Sequence, residues 1–399
     1  MDIDAARPSD SRLQAWQVIV GGICALVLTI GLARFAYTPL LPQMQAQARL
    51  SDAAGGWLAA INYAGYMSGA LLAAWLDAPA LRHRFYSLGL ALTLPVTWLM
   101  GASDSLWLWA LSRYLGGLCG AAGMLLGSGL VLSWLVQAGR RPELGLHFIG
   151  IGLGIVVSAL GAMAMSAAAL GWAQQWQGFA LLGLIFLLPA WAWRPPAPVL
   201  AAGPATAATA TTSRRWMALM TAAYFCAGWG FVINATFTVA IVERQPLLAG
   251  QGPWAWLLVG LAACPAVFVW DRVARLIGEL PALILAFGLQ AIGVLLPALS
   301  GGLAAALLGA LLYGATAIGI VSLTLALVGR RSPGNPGKAM ARLTLGYGVA
   351  QIGAPALAGM MVHASGSYHG TLWLTAGVLL LGMAVLARLT RGEAAGRAG

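Results

Sequence analysis

Two arginines, Arg34 and Arg113, stand inside long apolar stretches of a 399-residue chain. An arginine at mid-helix in a membrane costs about 2.5–3.5 kcal/mol on insertion scales, so such a residue faces a cavity, a partner or a solute. A guanidinium stays charged and its fork matches a carboxylate, so the chemistry offered is recognition of an anionic group. The plainer alternative is structural: either arginine could bond backbone carbonyls within the membrane or reach outward along its own stem.

The elements that must carry these residues follow from spacing. An apolar span starting near 16 places Arg34 roughly 27 Å along its axis, and an oppositely directed span starting near 105 places Arg113 about 12 Å from the same face. Asn62 and Tyr63 lie eight or nine residues into the second span, at that depth, with Tyr66 one turn beyond Asn62. Asn234 stands at the same offset in a seventh span as Arg34 in the first, and Gln351 shares a face with Tyr347 in an eleventh. The expected lining of a solute site is therefore Arg34, Tyr37, Asn62, Tyr66, Arg113, Asn234, Tyr347 and Gln351. For each lone Asn, Gln or Tyr the competing reading is an ordinary interhelical hydrogen bond.

Composition supports these spans. The chain is 60% hydrophobic and 8% charged, against roughly a quarter charged in soluble domains. Apolar blocks fall near 16–42, 54–76, 86–102, 105–136, 145–168 and 174–193, then 216–242, 253–270, 280–299, 302–328, 341–362 and 370–388, each close to the length that crosses a bilayer. Between the sixes, 194–214 holds four prolines and a run of Ala and Thr, a composition that cannot bury enough surface to fold. The expected organisation is an all-α membrane protein of twelve helices: a six-helix bundle over 1–193, a cytoplasmic linker over 194–214 and a second bundle over 215–399. The opening MDIDAARPSDSR has three aspartates and no small-residue cleavage site, so the first apolar block is expected to stay as a helix.

Of the 22 Lys and Arg, eighteen fall on one side of this alternating arrangement, only Arg49 and Arg244 on the other, and Arg34 and Arg113 within spans. That asymmetry orients both termini toward the cytoplasm. It also separates the net charge of +11 from nucleic-acid binding, since the basic residues sit at helix ends and form no stripe. Cys24, Cys119, Cys226 and Cys264 lie in apolar blocks without metal-type spacing and read as small buried hydrophobes. His83, His147, His363 and His369 are scattered, and no G-x-S-x-G segment occurs, which argues against an enzyme. No metal or cofactor is expected; the bilayer and a small solute are the expected partners, and the chain reads as a monomer.

A coupling proton would need a titratable group in the pathway. Every acid lies at or near a helix end, which leaves Glu243 and His147 as the candidates, with substrate protonation or facilitated diffusion open. Small residues recur at spacings of three and four in helix 4 (Gly116, Gly117, Gly120, Gly123, Gly127) and helix 5 (Gly150, Gly154, Ser158, Gly161), a pattern for close packing or for a pair of helices that rock. Two loops correspond between the halves, LDAPALRHRF with Asp77, Arg82 and Arg84, and WDRVARLIG with Asp271, Arg272 and Arg275. Acid and arginine so placed could bridge neighbouring helices in one conformation and release them in another.

These paired loops resemble the signature loop of the major facilitator superfamily, although Ala78 follows Asp77 where a basic residue is usual. Arg113 with Gly117 and Gly120 is similar to that superfamily's helix 4 motif, in which the arginine is often tied to proton coupling in antiporters. The helix 5 stripe lacks the antiporter proline. More specifically, GLARFAYTPLLPQMQ at 31–45, GWLAAINYAGYMSGALLA at 56–73, HFIGIGLGIVVSAL at 147–160, GFVINATF at 230–237 and GYGVAQIGAPALAG at 346–359 resemble the YbfB/YjiJ family of transporter-like proteins. The resemblance implies a major facilitator fold and a secondary transporter of a small organic solute, with the buried cations favouring an organic anion. Multidrug efflux by proton antiport and a nontransporting membrane sensor remain as alternatives.

Overall fold

Inside a bilayer every backbone polar group must be satisfied within the protein, and a continuous helix does so segment by segment. The computed structural model describes residues 13–140, 144–197, 213–332 and 336–398. Among the described residues the chain forms twelve helical rods and no strand: α1 (Ala15–Gln47), α2 (Asp52–Trp75), α3 (Pro79–Leu99), α4 (Leu106–Gln137), α5 (Leu144–Ala167), α6 (Trp172–Ala192), α7 (Arg214–Glu243), α8 (Gly252–Ile277), α9 (Glu279–Leu299), α10 (Leu303–Arg331), α11 (Pro336–Ser365) and α12 (His369–Ala398). Ten are long and apolar enough to cross a membrane. The other two, α2 and α3, have 24 and 21 residues; α2 is diluted by Asn62, Tyr63, Tyr66 and its glycines, and α3 by Arg82, His83 and Arg84 in its first turns.

Several helices run past the apolar blocks. Pro79 starts α3, where a proline in the first turn loses no helical hydrogen bond, so Arg82 and Arg84 are helical. Likewise α8 continues to Ile277, which puts Asp271, Arg272 and Arg275 in helix. The second expected loop is thus a helix end, whereas the first keeps Asp77 in a short turn and has its arginines in the start of α3. Most of the 194–214 stretch (198–212), together with Arg7, Arg12, Arg141 and Glu143, lies outside the described residues.

Packing repeats with an offset of six helices. The pairs α2 with α4, α1 with α5 and α3 with α6 recur as α8 with α10, α7 with α11 and α9 with α12. Between the two six-helix bundles, α2 meets α11, α5 meets α8, and α1 meets α7. Outward faces of the peripheral helices are apolar, with Leu88 and Leu92 on α3, Ile185 and Leu188 on α6 and Ile292 on α9 all exposed, as contact with lipid requires.

Small residues set the distances. The two glycine stripes do not face each other: on α4, Gly117 lies against Asn62 and Tyr66 of α2 and Gly123 against Thr29 of α1, whereas on α5 Gly150 and Gly154 lie against α1. A rocking pair made of helices 4 and 5 is therefore not what these stripes build. Across the bundles, a Cβ added at Gly152 would stand 2.7 Å from the Cys264 nitrogen, and one at Gly260 would stand 2.7 Å from the Val156 nitrogen. The α5/α8 seam is backbone against backbone, the close approach by which membrane helices associate.

Candidate solute site

Helix α1 is not uniform. Val27–Phe35 winds as a π-helix, and the Ala36 N–H donates to the Gly31 carbonyl, five residues back, at 3.0 Å. Gly31 touches Gly154 so closely that neither position has room for a side chain. A widened turn changes the angular position of whatever follows it, and here it presents Arg34 to α2. The Arg34 Cζ sits 3.8 Å from the centre of the Tyr63 ring and 5.0 Å from that of Tyr66. Arg34 is only 8% exposed, and its Nε and Nη2 are buried without a hydrogen-bond partner.

Arg113 is used differently. Its Nη1 donates to the Ala33 carbonyl at 3.1 Å, and its Cζ lies 4.5 Å from the centre of the Tyr37 ring. Tyr37 in turn donates to the Gly55 carbonyl at 2.8 Å. Asn62 donates from Nδ2 to the Arg113 carbonyl at 2.7 Å, leaving its Oδ1 buried and unpartnered. Arg113 thus ties α4 to the π segment of α1, the backbone-bonding role, although its Nε is also buried without a partner.

The second bundle contributes aromatic surface. Tyr347 stacks on Tyr224 at 4.4 Å between ring centres, and Phe231 lies 6.1 Å from Tyr347 and 6.3 Å from Tyr313. The Tyr313 hydroxyl donates to the Phe231 carbonyl at 3.0 Å. Tyr347 stands on α11, which packs on α2, the helix that carries Tyr63 and Tyr66, so this cluster lies at the interface between bundles. Asn234 is buried but donates to Gly230 of its own helix at 3.2 Å. Gln351 is buried on α11. The predicted residues that meet at the cation are Arg34 and Tyr66; Arg113, Tyr37 and Asn62 form the shell behind them, and Tyr347 stands on the facing helix α11. Tyr63, read only for its depth, and Tyr224, Tyr313 and Phe231 were missed, and their one signal was that of aromatics inside apolar spans.

The remaining predicted residues make the following contacts. Glu243 accepts from the N–H groups of Gly250 at 2.8 Å and Gly252 at 2.9 Å, which caps the start of α8. His147 is fully buried, its Nε2 2.8 Å from the Ser128 hydroxyl and its Nδ1 without a partner. On the arginine-rich face, Arg275 pairs with Asp271 of its own helix and Arg330 of α10 pairs with Glu279 of α9. Arg82 donates to the Leu76 carbonyl at 2.5 Å. Among the described residues, none of Asp77, Arg84 and Arg272 makes an ion pair, and no ion pair links the bundles on this face. The pair that does link them is on the opposite face, where Arg244 at the end of α7 binds Asp52 at the start of α2. Gln45 also donates to Asp52 at 2.8 Å, and the Arg244 Cζ lies 5.0 Å from the centre of the Tyr368 ring. Burial raises the pKa of the Tyr368 phenol above its ordinary value, with the Arg244 charge drawing it partly back.

Comparison with known proteins places this architecture. The family model described as the uncharacterised MFS-type transporter YbfB matches residues 26–387. The chain belongs to that family. It is therefore a multi-pass membrane transporter of the major facilitator superfamily. Solved major facilitators share the fold at low identity. The nucleoside transporter NupG is similar over 94% of this chain and 98% of its own, with TM-score 0.71 and 13% identity. The human organic anion transporter MFSD10 is similar over 93% and 99%, with TM-score 0.65 and 18% identity. A bacterial homologue of the human lysosomal transporter Spinster, in an inward-facing and unoccupied conformation, is similar over 96% and 98%, with TM-score 0.67 and 14% identity. No curated protein matches this major facilitator.

Proposed function

We propose that the chain is a secondary transporter of a small organic anion, working by alternating access, with the anionic group received by Arg34. The observation that carries this reading is a guanidinium only 8% exposed, at the interface between bundles, with two nitrogens lacking any partner. A buried charge left unpaired costs several kcal/mol, so a site that keeps one gains most from a ligand of opposite sign. Tyr63, Tyr66, Tyr224, Tyr313 and Tyr347 would surround the body of the solute, with Asn234 and Gln351 at the margin. Arg113 would hold α1 in the register that aims Arg34. MFSD10, an organic anion transporter by its description, has the same fold at 18% identity, which is compatible with this substrate class.

In this reading the two bundles, 1–193 and 215–399, are the moving parts, joined by 194–214. The arginine-rich face is cytoplasmic in a bacterial inner membrane, in keeping with the bias of Lys and Arg toward that side. The Asp52–Arg244 pair would hold the outer face shut until the bundles rock. The turn and helix ends bearing Asp77, Arg82, Arg84, Asp271, Arg272 and Arg275 would meet in the outward-facing state.

Uptake of labelled carboxylates into proteoliposomes tests the assignment. Arg34→Gln is expected to lower uptake by about a hundred-fold, since removing one partner of a buried charged pair costs 2–5 kcal/mol or more. Carboxylates that are carried should also raise the melting temperature of the unaltered protein and not of the variant. Undiminished uptake in Arg34→Gln overturns the site.

A further inference from the structure

Reorientation of the carrier requires a state closed on both faces, through which Arg34 must pass with or without a counter-charge. In the sequence every Asp and Glu lies at or near the end of a span or beyond it. Of those described, four are engaged: Asp52 by Arg244 and Gln45, Glu243 by two backbone N–H groups, Asp271 by Arg275 and Glu279 by Arg330, while Asp77 and Asp104 stand in turns outside the helices. None of these carboxylates is available to neutralise Arg34 when the solute leaves. His147 can add positive charge but cannot remove it. The faces of Tyr63 and Tyr66 give the guanidinium some compensation, but a ring quadrupole offsets only part of the cost of a dry, unpaired charge.

A bound anion cancels that charge and satisfies the free nitrogens, so the loaded carrier passes through the closed state more readily than the empty one. A ligand accelerates such a transition only through its differential interaction with the states involved. Here that differential arises from the protein's own missing counter-ion. We infer that this transporter is an anion exchanger: it carries one organic anion inward and another outward, and its empty return is the slow step. The inference rests on the assignment of Arg34 as the anion's partner and adds the mode of transport.

The test uses the full chain in proteoliposomes, with potassium and valinomycin holding the membrane potential at zero so that charge build-up cannot imitate exchange. The probes are labelled benzoate, lactate and succinate. Uptake of a carried probe is compared between vesicles preloaded with the same unlabelled anion and vesicles loaded with a neutral sugar. The expected result is uptake about ten-fold faster into the preloaded vesicles for the unaltered protein. Arg34→Lys, which keeps the charge, should retain the ratio, and Arg34→Gln should lose it while melting as a folded protein. Equal uptake into both kinds of vesicle, still dependent on Arg34, overturns exchange and leaves the anion site standing. Uptake or binding of none of the three acids, or uptake indifferent to Arg34→Gln, overturns the anion site itself and exchange with it.

Discussion

Asp52, the first residue of α2, and Arg244, which follows the last residue of α7, form an ion pair that joins the two bundles across 192 positions of sequence. Just below it Gly56 and Gly359 bring α2 and α11 into near contact, and the Thr38 hydroxyl donates to the Ala235 carbonyl, tying α1 to α7. In the proposed cycle this partly exposed charged pair is the latch of the closure.

Its side chains are 34% and 17% exposed, so solvent screens the attraction and it contributes about 1 kcal/mol or less. Asp52→Asn should open this face up to about five-fold more often. Labelling of Thr38→Cys by an impermeant maleimide, in a background without the native cysteines, measures this. The charge swap, Asp52→Arg with Arg244→Asp, should return labelling toward the original rate. If the swap labels like the single variants, the pair is not a latch.

Glu243→Ala should lower stability by about 1–2 kcal/mol, since it removes the acceptor for two N–H groups at the start of α8. The pH profile of transport should stay where it was. A displaced profile with unchanged melting would restore Glu243 as a proton carrier.

His147 and Gly22 should be energetically coupled. A Cβ at Gly22 would lie 2.5 Å from Nδ1 of His147, so Gly22→Ala is expected to cost about 1–3 kcal/mol by overpacking. Combined with His147→Ala, the loss should be smaller than the sum of the two by about 0.5–3 kcal/mol. Thermal melting of the four proteins in one detergent gives the comparison, and strict additivity removes the contact from the account.

The twelve spans and the two buried arginines were legible because both follow from the cost of polarity in hydrocarbon, which a single sequence displays directly. Helix ends were less so. Hydropathy stops at Trp270, but α8 continues through Asp271 and Arg275, whose spacing of four supports one more turn. The Asp52–Arg244 pair could not be read, since it depends on which ends of two distant helices meet. For Glu243 only its position along the span was visible, not the return of the chain at Gly250 that brings two N–H groups to its carboxylate. Of the site, Arg34 announced itself by charge, whereas Tyr224 and Tyr313 differ in no local respect from aromatics that merely pack.

The widened turn between Val27 and Phe35 holds more residues per rise than the α-helix on either side. Each residue of an α-helix advances the direction of the next by about 100°. Removing one residue would let this turn relax to regular α-helical winding and change which of its positions faces α2, even with every named side chain kept. Where the buried charge points is thus a property of segment length. A protein with all the same residues and one fewer position in this turn would carry the arginine but aim it at a different wall.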